Sequence, residues 1–426
     1  MEEIREIPEG WEIDSISKLC DIVDYRGKTP EKVDMGIFLV TAKNIRNGKI
    51  DYNISKEYVK TEKYEEIMSR GLPKIGDVLI TTEAPLGEVA SIDNESIALA
   101  QRIIKLRGKR EKLENKYLKY YMLSKEFQKE IKNDATGSTV EGIKGSRLKK
   151  KMIKFPKSKK EQLVISNILD KLDQNIEKTE QTIEKYKKIK SGLMDDLLTG
   201  KIRFKDGKWI KETEFKEVQG IGRIPKDWEV NKLEKISKFI KDGTHGTHKD
   251  VEKGIPLLSA KDIYNGKVNI PDDCRRISHE DYNSIHRKYE LKEGDILLTI
   301  VGTIGRTAII TDNSNTYTFQ RSVGIIRMVK DYYSKYIFYY ISSSRYQNQL
   351  ELMVNASAQG GIYLGSLANT ILCLPKQHEQ IEIVNVLSKQ DQLIEKEQQY
   401  LEKLKKLKAG LMEDLLTGKV RVKIDE

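Results

Sequence analysis

The sequence predicts an α+β protein with a pseudo-two-fold internal repeat: two globular domains joined by two long helices that pair within the chain as an antiparallel coiled coil. Three observations predict it. Trp11 recurs as Trp228, and the pattern repeats at an offset of 217 to 219 residues almost to the end of the 426-residue chain. Gln162–Arg203 matches Gln380–Arg421 at 26 of 42 positions, whereas the remainder matches only at short motifs. The matched segments lack proline and carry apolar residues at alternating steps of four and three, the signature of a coiled-coil seam.

The first domain is expected over residues 1–158. It opens with a Pro-x-x-Trp-Glu element at Pro8 and passes through the polar loop YRGKTP. Asn47-Gly48 then marks a two-residue hairpin turn. A Gly-Asp pair starts the apolar run KIGDVLITTEAPLGEVA, Gln101-Arg102 opens a further strand, and a Tyr-rich helix, a polar Gly loop and the strand MIKFP close the unit. A helix follows over 159–200, and 201–221 reads as a short linker. The second domain, 222–376, repeats the order with Pro225, the loop DGTHGTH, the turn Asn265-Gly266, KEGDILLTIVGTIGRTA, Gln320-Arg321 and TILCLP. A second helix over 377–418 and a tail over 419–426 complete the chain.

The seam of the first helix is Ile165, Leu169, Leu172, Ile176, Ile183, Tyr186, Leu193 and Leu197, with polar breaks at Thr179 and Lys190. That of the second is Ile383, Leu387, Ile394, Leu401, Leu404, Leu411 and Leu415, with breaks at Gln390, Glu397 and Lys408. Gly200 and Gly418 stand where a left-handed C-terminal cap is expected. About 37 residues give a rod of roughly 55 Å. Because the first helix delivers the chain to the second domain, the second must run back, so an intrachain pair is antiparallel. Pairing with another chain is the alternative.

Composition bounds the function. The net charge is +11, and the matched helical segments each carry 8 basic and 7 acidic residues, so most of the excess lies in the divergent domains. That distribution fits a polyanion such as double-stranded DNA. The segment Lys144–Lys160 holds nine basic and no acidic residues and reads as a phosphate track or a solvated edge. No apolar run approaches the length of a membrane span. The N-terminal residues lack a secretory pattern, and Cys20, Cys274 and Cys373 form no Cys-x-x-Cys pair, so a cytoplasmic protein without a disulfide framework is expected. No phosphate loop, dinucleotide fingerprint, nucleophile elbow or Asn-Pro-Pro-aromatic motif occurs. No cofactor and no metal are expected. His245 and His248 lie three apart on a Gly loop with no further ligand at useful spacing.

Asn, Gln and Arg read base edges, while Lys, Ser and Thr hold phosphates. Candidate contacts in the first domain are therefore Tyr25, Arg26, Lys28, Thr29, Lys43, Asn44, Arg46, Lys144 and Arg147. In the second they are Thr244, His245, Thr247, His248, Lys261, Tyr264, Gln359 and Tyr363. Gln101-Arg102 and Gln320-Arg321, being identical, are read as structural or backbone-contacting.

The duplicated Pro-x-x-Trp-Glu openings, the Gly-Asp-Val/Ile-Leu strands, the Gln-Arg pairs and the doubled Gly-Leu-Met-Asp/Glu-Asp-Leu-Leu-Thr-Gly-Lys ending resemble the specificity (S) subunit of type I restriction-modification systems over nearly the whole chain. That resemblance implies two target-recognition domains reading the halves of a bipartite, asymmetric DNA site. It implies helices that dock two methyltransferase (M) subunits, and restriction (R) subunits that complete a host-defence nuclease. Catalysis would belong to those partners, so the chain itself is expected not to be an enzyme. Roughly 55 Å corresponds to about 16 base pairs, so recognition loops set inward of the rod ends are expected to read half-sites about one helical turn apart. Two other readings stay open: a coiled-coil adaptor with two protein-binding domains, and a solitary DNA-modifying enzyme with an unfamiliar site.

Overall fold

A computed structural model describes residues 7–424 apart from 26–29, 137–140, 288, 313–315 and 356–359. The chain divides into two compact units, Met1–Gln181 with Gln398–Glu426, and Thr182–Glu397. The division therefore runs across both long helices rather than at their ends. Each unit takes one globular domain and part of each helix.

In the first unit, Trp11–Ser15 pairs antiparallel with Met152–Pro156, so the opening and closing strands of the domain lie side by side. The central sheet has the order Cys20–Asp24, Ile103–Gly108, Val78–Thr81, Val89–Ser91. A second sheet sets Ile97–Leu99 parallel to Ile37–Val40. The Gly-Asp motif has a structural cause: the Asp77 carboxylate, 1% exposed, receives Arg107 Nε at 2.6 Å and Lys105 at 3.2 Å from the neighbouring strand. Burial works against the Asp77 anion, but Arg107, Lys105 and the Lys74 amide together outweigh it and hold the carboxyl below its ordinary range.

The second unit repeats this plan. Glu229–Lys232 pairs with Ile371–Leu374, and the central sheet runs Ser237–Asp242, Val323–Met328, Ile296–Thr299, Thr307–Ile309. Asp295 takes Arg327 Nε at 2.7 Å in the place of the Asp77–Arg107 pair. Residues 201–221, expected as a short linker, instead contribute with the start of the second domain to two hairpins, Ile202–Lys205 with Lys208–Lys211 and Phe215–Val218 with Gly222–Pro225. Asp206 and Gly207 at φ 49° and 75° make the first turn, and Phe204 packs on Trp209 with ring centroids 5.1 Å apart.

The long helices span Lys159–Leu198 and Gln377–Leu416. None of the fifteen seam positions is exposed: Ile176, Tyr186, Leu193, Ile394 and Leu411 are half-buried and the others buried. Within each unit the two helices run antiparallel. In the first, Lys405 meets Glu180 at 3.1 Å and Lys408 meets Asp173 at 2.5 Å. In the second, Lys190 meets Asp391 at 2.6 Å and Gln390 donates to the Tyr186 carbonyl at 3.1 Å. Four of the polar breaks thus find partners: Lys190 and Lys408 each meet an aspartate on the opposing helix, Gln390 the Tyr186 carbonyl, and the buried Thr179 hydroxyl donates to the Asn175 carbonyl.

The domains are bolted to the helices by matched tyrosines. Tyr120 Oη donates to Asp170 and Asp173 at 2.6 and 2.8 Å, and Tyr339 Oη donates to Asp391 at 2.7 Å. Asp170 resists ionisation through burial, yet Lys116, Tyr120 and Lys119 together bring its pKa down from 3.8 to about 2. Glu212 is likewise opposed by burial but held at about 2, from 4.5, by Lys205 and the Glu214 and Thr213 amides. Both groups bind protons more readily when unfolded, so their stabilisation is present above about pH 4.5 and is lost as pH falls through about 2. We expect the urea midpoint to report a lower stability at pH 3 than at pH 6, with Asp170 contributing about 1 kcal/mol of the loss. An Asp170→Asn variant should lose less stability than the parent over the same interval; an equal loss would remove Asp170 from the account.

Candidate nucleic-acid interface

The candidate surface is the rim where the ends of the two sheets meet. In the second unit the Thr244 amide donates to the Phe319 carbonyl at 2.8 Å, and the Arg321 amide donates to the Thr244 carbonyl at 3.1 Å. The Ser322 hydroxyl accepts the Ala260 amide at 3.1 Å, which places Lys261 beside it. The Ser322 carbonyl accepts the Ile300 amide, and the Ile300 carbonyl accepts the Ile362 amide, both at 2.9 Å. Five separate segments are thereby stitched into one edge that carries Thr244, Lys261, Arg321, Val301 and Tyr363. Arg321 and Lys261 are exposed, and Tyr363 is 58% exposed.

The first unit builds the same rim. The Ala100 amide donates to the Val40 carbonyl at 2.9 Å, the Thr82 amide to Arg102 at 3.0 Å, and the Ile143 amide to Thr82 at 2.9 Å. Lys144 follows Ile143 and is exposed. Arg102 Nε meets Glu83 at 2.9 Å on this edge, with both side chains about half exposed. The loops 82–87 and 300–305 are pinned alike: Gln128 donates to the Gly87 carbonyl at 2.8 Å and Gln347 to the Gly305 carbonyl at 3.0 Å.

Strand register changes the reading of the Gln-Arg pairs. Ile104 pairs with Ile80, and Gly324 pairs with Leu298, so this strand repeats at an offset of 220 while its neighbour repeats at 218. Gln101 and Arg102 therefore stand where Arg321 and Ser322 stand, not where Gln320 and Arg321 do. The two arginines occupy different places on the rim, and the identity that suggested a shared structural role is a coincidence of one-residue slippage.

The other expected contacts divide into four groups. Tyr25 is 2% exposed with its hydroxyl on the Gly71 carbonyl, and burial pushes that hydroxyl's pKa up. Asn44 is fully buried; its amide oxygen caps the Thr41 amide at 2.8 Å and its nitrogen donates to the Asp51 carbonyl at 3.0 Å. Both side chains are spent on the fold, which corrects their expected part in DNA contact, and Asp262 caps Ser259 in the same way. Lys43, Arg46, Lys144, Arg147, Thr247, Lys261, Tyr264 and Tyr363 are exposed. Arg46 and Tyr264 sit on the Asn-Gly hairpins, which lean on the long helices through Lys49–Glu177 and Lys267–Glu395. His245 pairs with Asp242 at 2.6 Å, and His248 is held between Thr244 at 2.9 Å and Asp281 at 3.1 Å. Arg26, Lys28, Thr29 and Gln359 lie outside the described residues.

The basic run is not one free track. Lys151 pairs with Asp134 at 2.8 Å, Lys154 with Glu126 at 3.1 Å, Lys157 with Glu12 at 3.5 Å and Lys159 with Glu114 at 2.5 Å. Lys144, Arg147, Lys149 and Lys150, next to the rim, remain exposed.

The matched C-terminal motif of each helix closes on a tryptophan. Gly200 (φ 74°) and Gly418 (φ 73°) turn the chain so tightly that an added Cβ would lie 2.2 Å from Pro225 and 2.6 Å from Pro8, with Trp228 and Trp11 beside them. Arg203 and Arg421 then reach Glu379 and Glu161 at 2.5 and 2.7 Å. The Pro-x-x-Trp opening of each domain is the receptor for the Leu-Leu-Thr-Gly-Lys-x-Arg ending of a helix.

No helix among the described residues is long and apolar enough to cross a membrane. The family model "Type I restriction modification DNA specificity domain" matches residues 8–188 and again 225–406. The chain is 26% identical over 429 residues to the type I restriction enzyme MjaVIII specificity subunit of Methanocaldococcus jannaschii, covering 98% of this chain and 94% of that one. It is 28% identical to the putative MjaX specificity subunit of the same organism over 99% and 96%. The fold is similar to a crystal structure of the S subunit from M. genitalium, with a TM-score of 0.59 at 16% identity over 100% and 99% of the two chains. A chain from a structural study of assembly and conformational transition of the type I R-M system gives 0.56 at 17% over 97% and 100%. With the domain matched twice and the repeat resolved as two like frames with unlike rims, this chain belongs to the type I restriction-modification specificity subunit family.

Proposed function

We propose that the chain reads a bipartite, asymmetric double-stranded DNA site, one half through each rim. The observation that carries this is the contrast between frame and edge. Three backbone bonds stitching each rim are equivalent, those from Ala100, Thr82 and Ile143 in one and from Gln320, Ile300 and Ile362 in the other, whereas the outward residues differ: Arg102, half-exposed Glu83 and Lys144 on one, half-buried Thr244, Lys261, Arg321 and Tyr363 on the other. A common scaffold with divergent polar termini is what two unequal base sequences require. The domains follow the boundaries 1–158 and 222–376, with 159–200 and 377–418 as spacer helices. Two methyltransferase subunits dock on the helices, restriction subunits complete the complex, and the chemistry belongs to those partners. That division is supported by helices alike enough to present one surface twice.

Methylome sequencing of cells carrying this chain with its M subunit tests the reading. A split motif with two unlike halves is expected, and Arg321→Ala should relax one half only. Specificity at that half should fall by about 1 to 3 kcal/mol per lost base contact. One continuous motif, or relaxation of both halves together, would sink it.

A further inference from the structure

The two rims differ most in chemistry where one backbone bridge recurs in both. Glu83 faces Gly142 in the first unit and Val301 faces Gly361 in the second, each across an antiparallel bridge. The next amide closes both in the same way: Ile143 donates to the Thr82 carbonyl and Ile362 to the Ile300 carbonyl, each at 2.9 Å. Thr82, Ile143, Ile300 and Ile362 are buried. Side chains alternate along extended chain, so Glu83 and Lys144 turn outward in one unit, and Val301 and Tyr363 in the other. Glu83 pairs with Arg102 at 2.9 Å, and Lys144 is exposed. In the same two places Val301 is 42% and Tyr363 58% exposed.

Val301 stands over bare backbone. A Cβ added at Gly361 would lie 3.5 Å from Val301 Cγ2, so the facing residue brings no side chain over it. Cations flank the pair. The Ile300 amide donates to the Ser322 carbonyl, which sets Val301 and exposed Arg321 one residue to either side of that bond, and the Ser322 hydroxyl holds the amide before exposed Lys261.

Single exposed apolar side chains are ordinary on a protein surface. Two on one face, where the sister domain holds opposite charges, mark a different group to be met at the same place. Two residues are too few for a protein interface, which buries about 800 Å² per partner. The flanking cations suit phosphates. Within reach of a phosphate-bound edge a duplex offers one apolar group, the thymine 5-methyl in the major groove. Side chains that wedge between base steps are long, such as Phe, Leu or Met, whereas Val301 is short and stiff.

We infer that Val301 and Tyr363 read a thymine through its 5-methyl group in the half-site of the second unit. The first unit, with Glu83 and Lys144 in those places, makes no such contact there. This deepens the proposed reading of DNA and rests on it. Covering the methyl removes it from water, which for a group of that size is worth about fourfold in affinity.

Competition binding by the chain assembled with its methyltransferase subunit supplies the test. The half-site of the second unit is the one that Arg321→Ala relaxes. Replacing each thymine there in turn by uracil removes a methyl group and leaves the pairing edge as it was. At one position affinity should fall about fourfold. Val301→Ala with Tyr363→Ala should lose that preference for thymine, while its full discrimination in the other half shows that it has folded. A split site bound as tightly with uracil at every thymine of that half overturns the inference, as does a double variant that keeps the preference. A wild-type complex that binds no split site overturns the reading of DNA itself, a separate result.

Discussion

Replacing Arg203 by alanine is expected to destabilise the second unit by about 3 to 5 kcal/mol. Its guanidinium is 2% exposed and serves three carboxylates: Glu379 at 2.5 and 2.7 Å, Glu212 at 2.8 Å and Asp227 at 2.8 Å, while it lies 5.4 Å from the Trp228 ring centroid. Removal leaves the buried carboxylate of Glu379, and that of Glu212 beside it, without their central cation, and the uncompensated charge is the cost. Arg421 holds the corresponding place in the first unit, but its side chain is 45% exposed and among the described residues its one carboxylate partner is Glu161. Arg421→Ala should therefore cost less, about 1 to 3 kcal/mol. Urea denaturation of the two variants compares them directly. An equal or larger loss for Arg421→Ala would mean that burial does not set the difference.

Gly243→Ala should disable one reading surface and spare the other. An added Cβ would fall 2.1 Å from the Phe319 carbonyl oxygen and 2.4 Å from that of Gln320, both backbone atoms on the strand that leads into Arg321. The chain must then retreat, breaking the 2.8 Å bond from Thr244 to Phe319 and the 3.1 Å bond from Arg321 to Thr244. On the proposed reading two or so base contacts, worth about 1 to 3 kcal/mol each, would depend on that stitch, so affinity for the cognate site should fall on the order of a hundredfold. Competition binding with DNA altered in either half locates the effect. The variant should become indifferent to changes in one half and keep full discrimination in the other; indifference to both would mean that the damage is global.

Features with a local cause were legible in the sequence. The seam shows as a 3.5-residue period, the hairpins as Asn-Gly, and the helix caps as Gly200 and Gly418, because each depends on neighbours a few residues away. The Asp206-Gly207 hairpin carried the same kind of signal, between Phe204 and Trp209, but the short stretch was read as a link. What escaped depends on pairing. Two more residues precede this strand in the second unit than in the first, which makes Arg102 and Arg321 look equivalent when they are not, and only the register reveals it. Asn44 looked like a base-reading side chain because composition cannot distinguish an amide facing solvent from one closing a capping box. The ion pairs of Lys151, Lys154, Lys157 and Lys159 likewise come from residues distant in sequence, so a run of charge overstated the free charge.

The lock between each helix ending and each Pro-x-x-Trp opening bears on how such chains acquire new targets. Gly200 with Arg203 and Gly418 with Arg421 engage Trp228 and Trp11 through one chemistry, so neither domain is fitted to a private partner. Genetic recombination within the repeated helix-encoding segments would deliver a foreign reading domain to a receptor that already accepts it. A single crossover would then replace half of the recognised sequence at once, leaving the junctions intact, which point mutation of a rim cannot do.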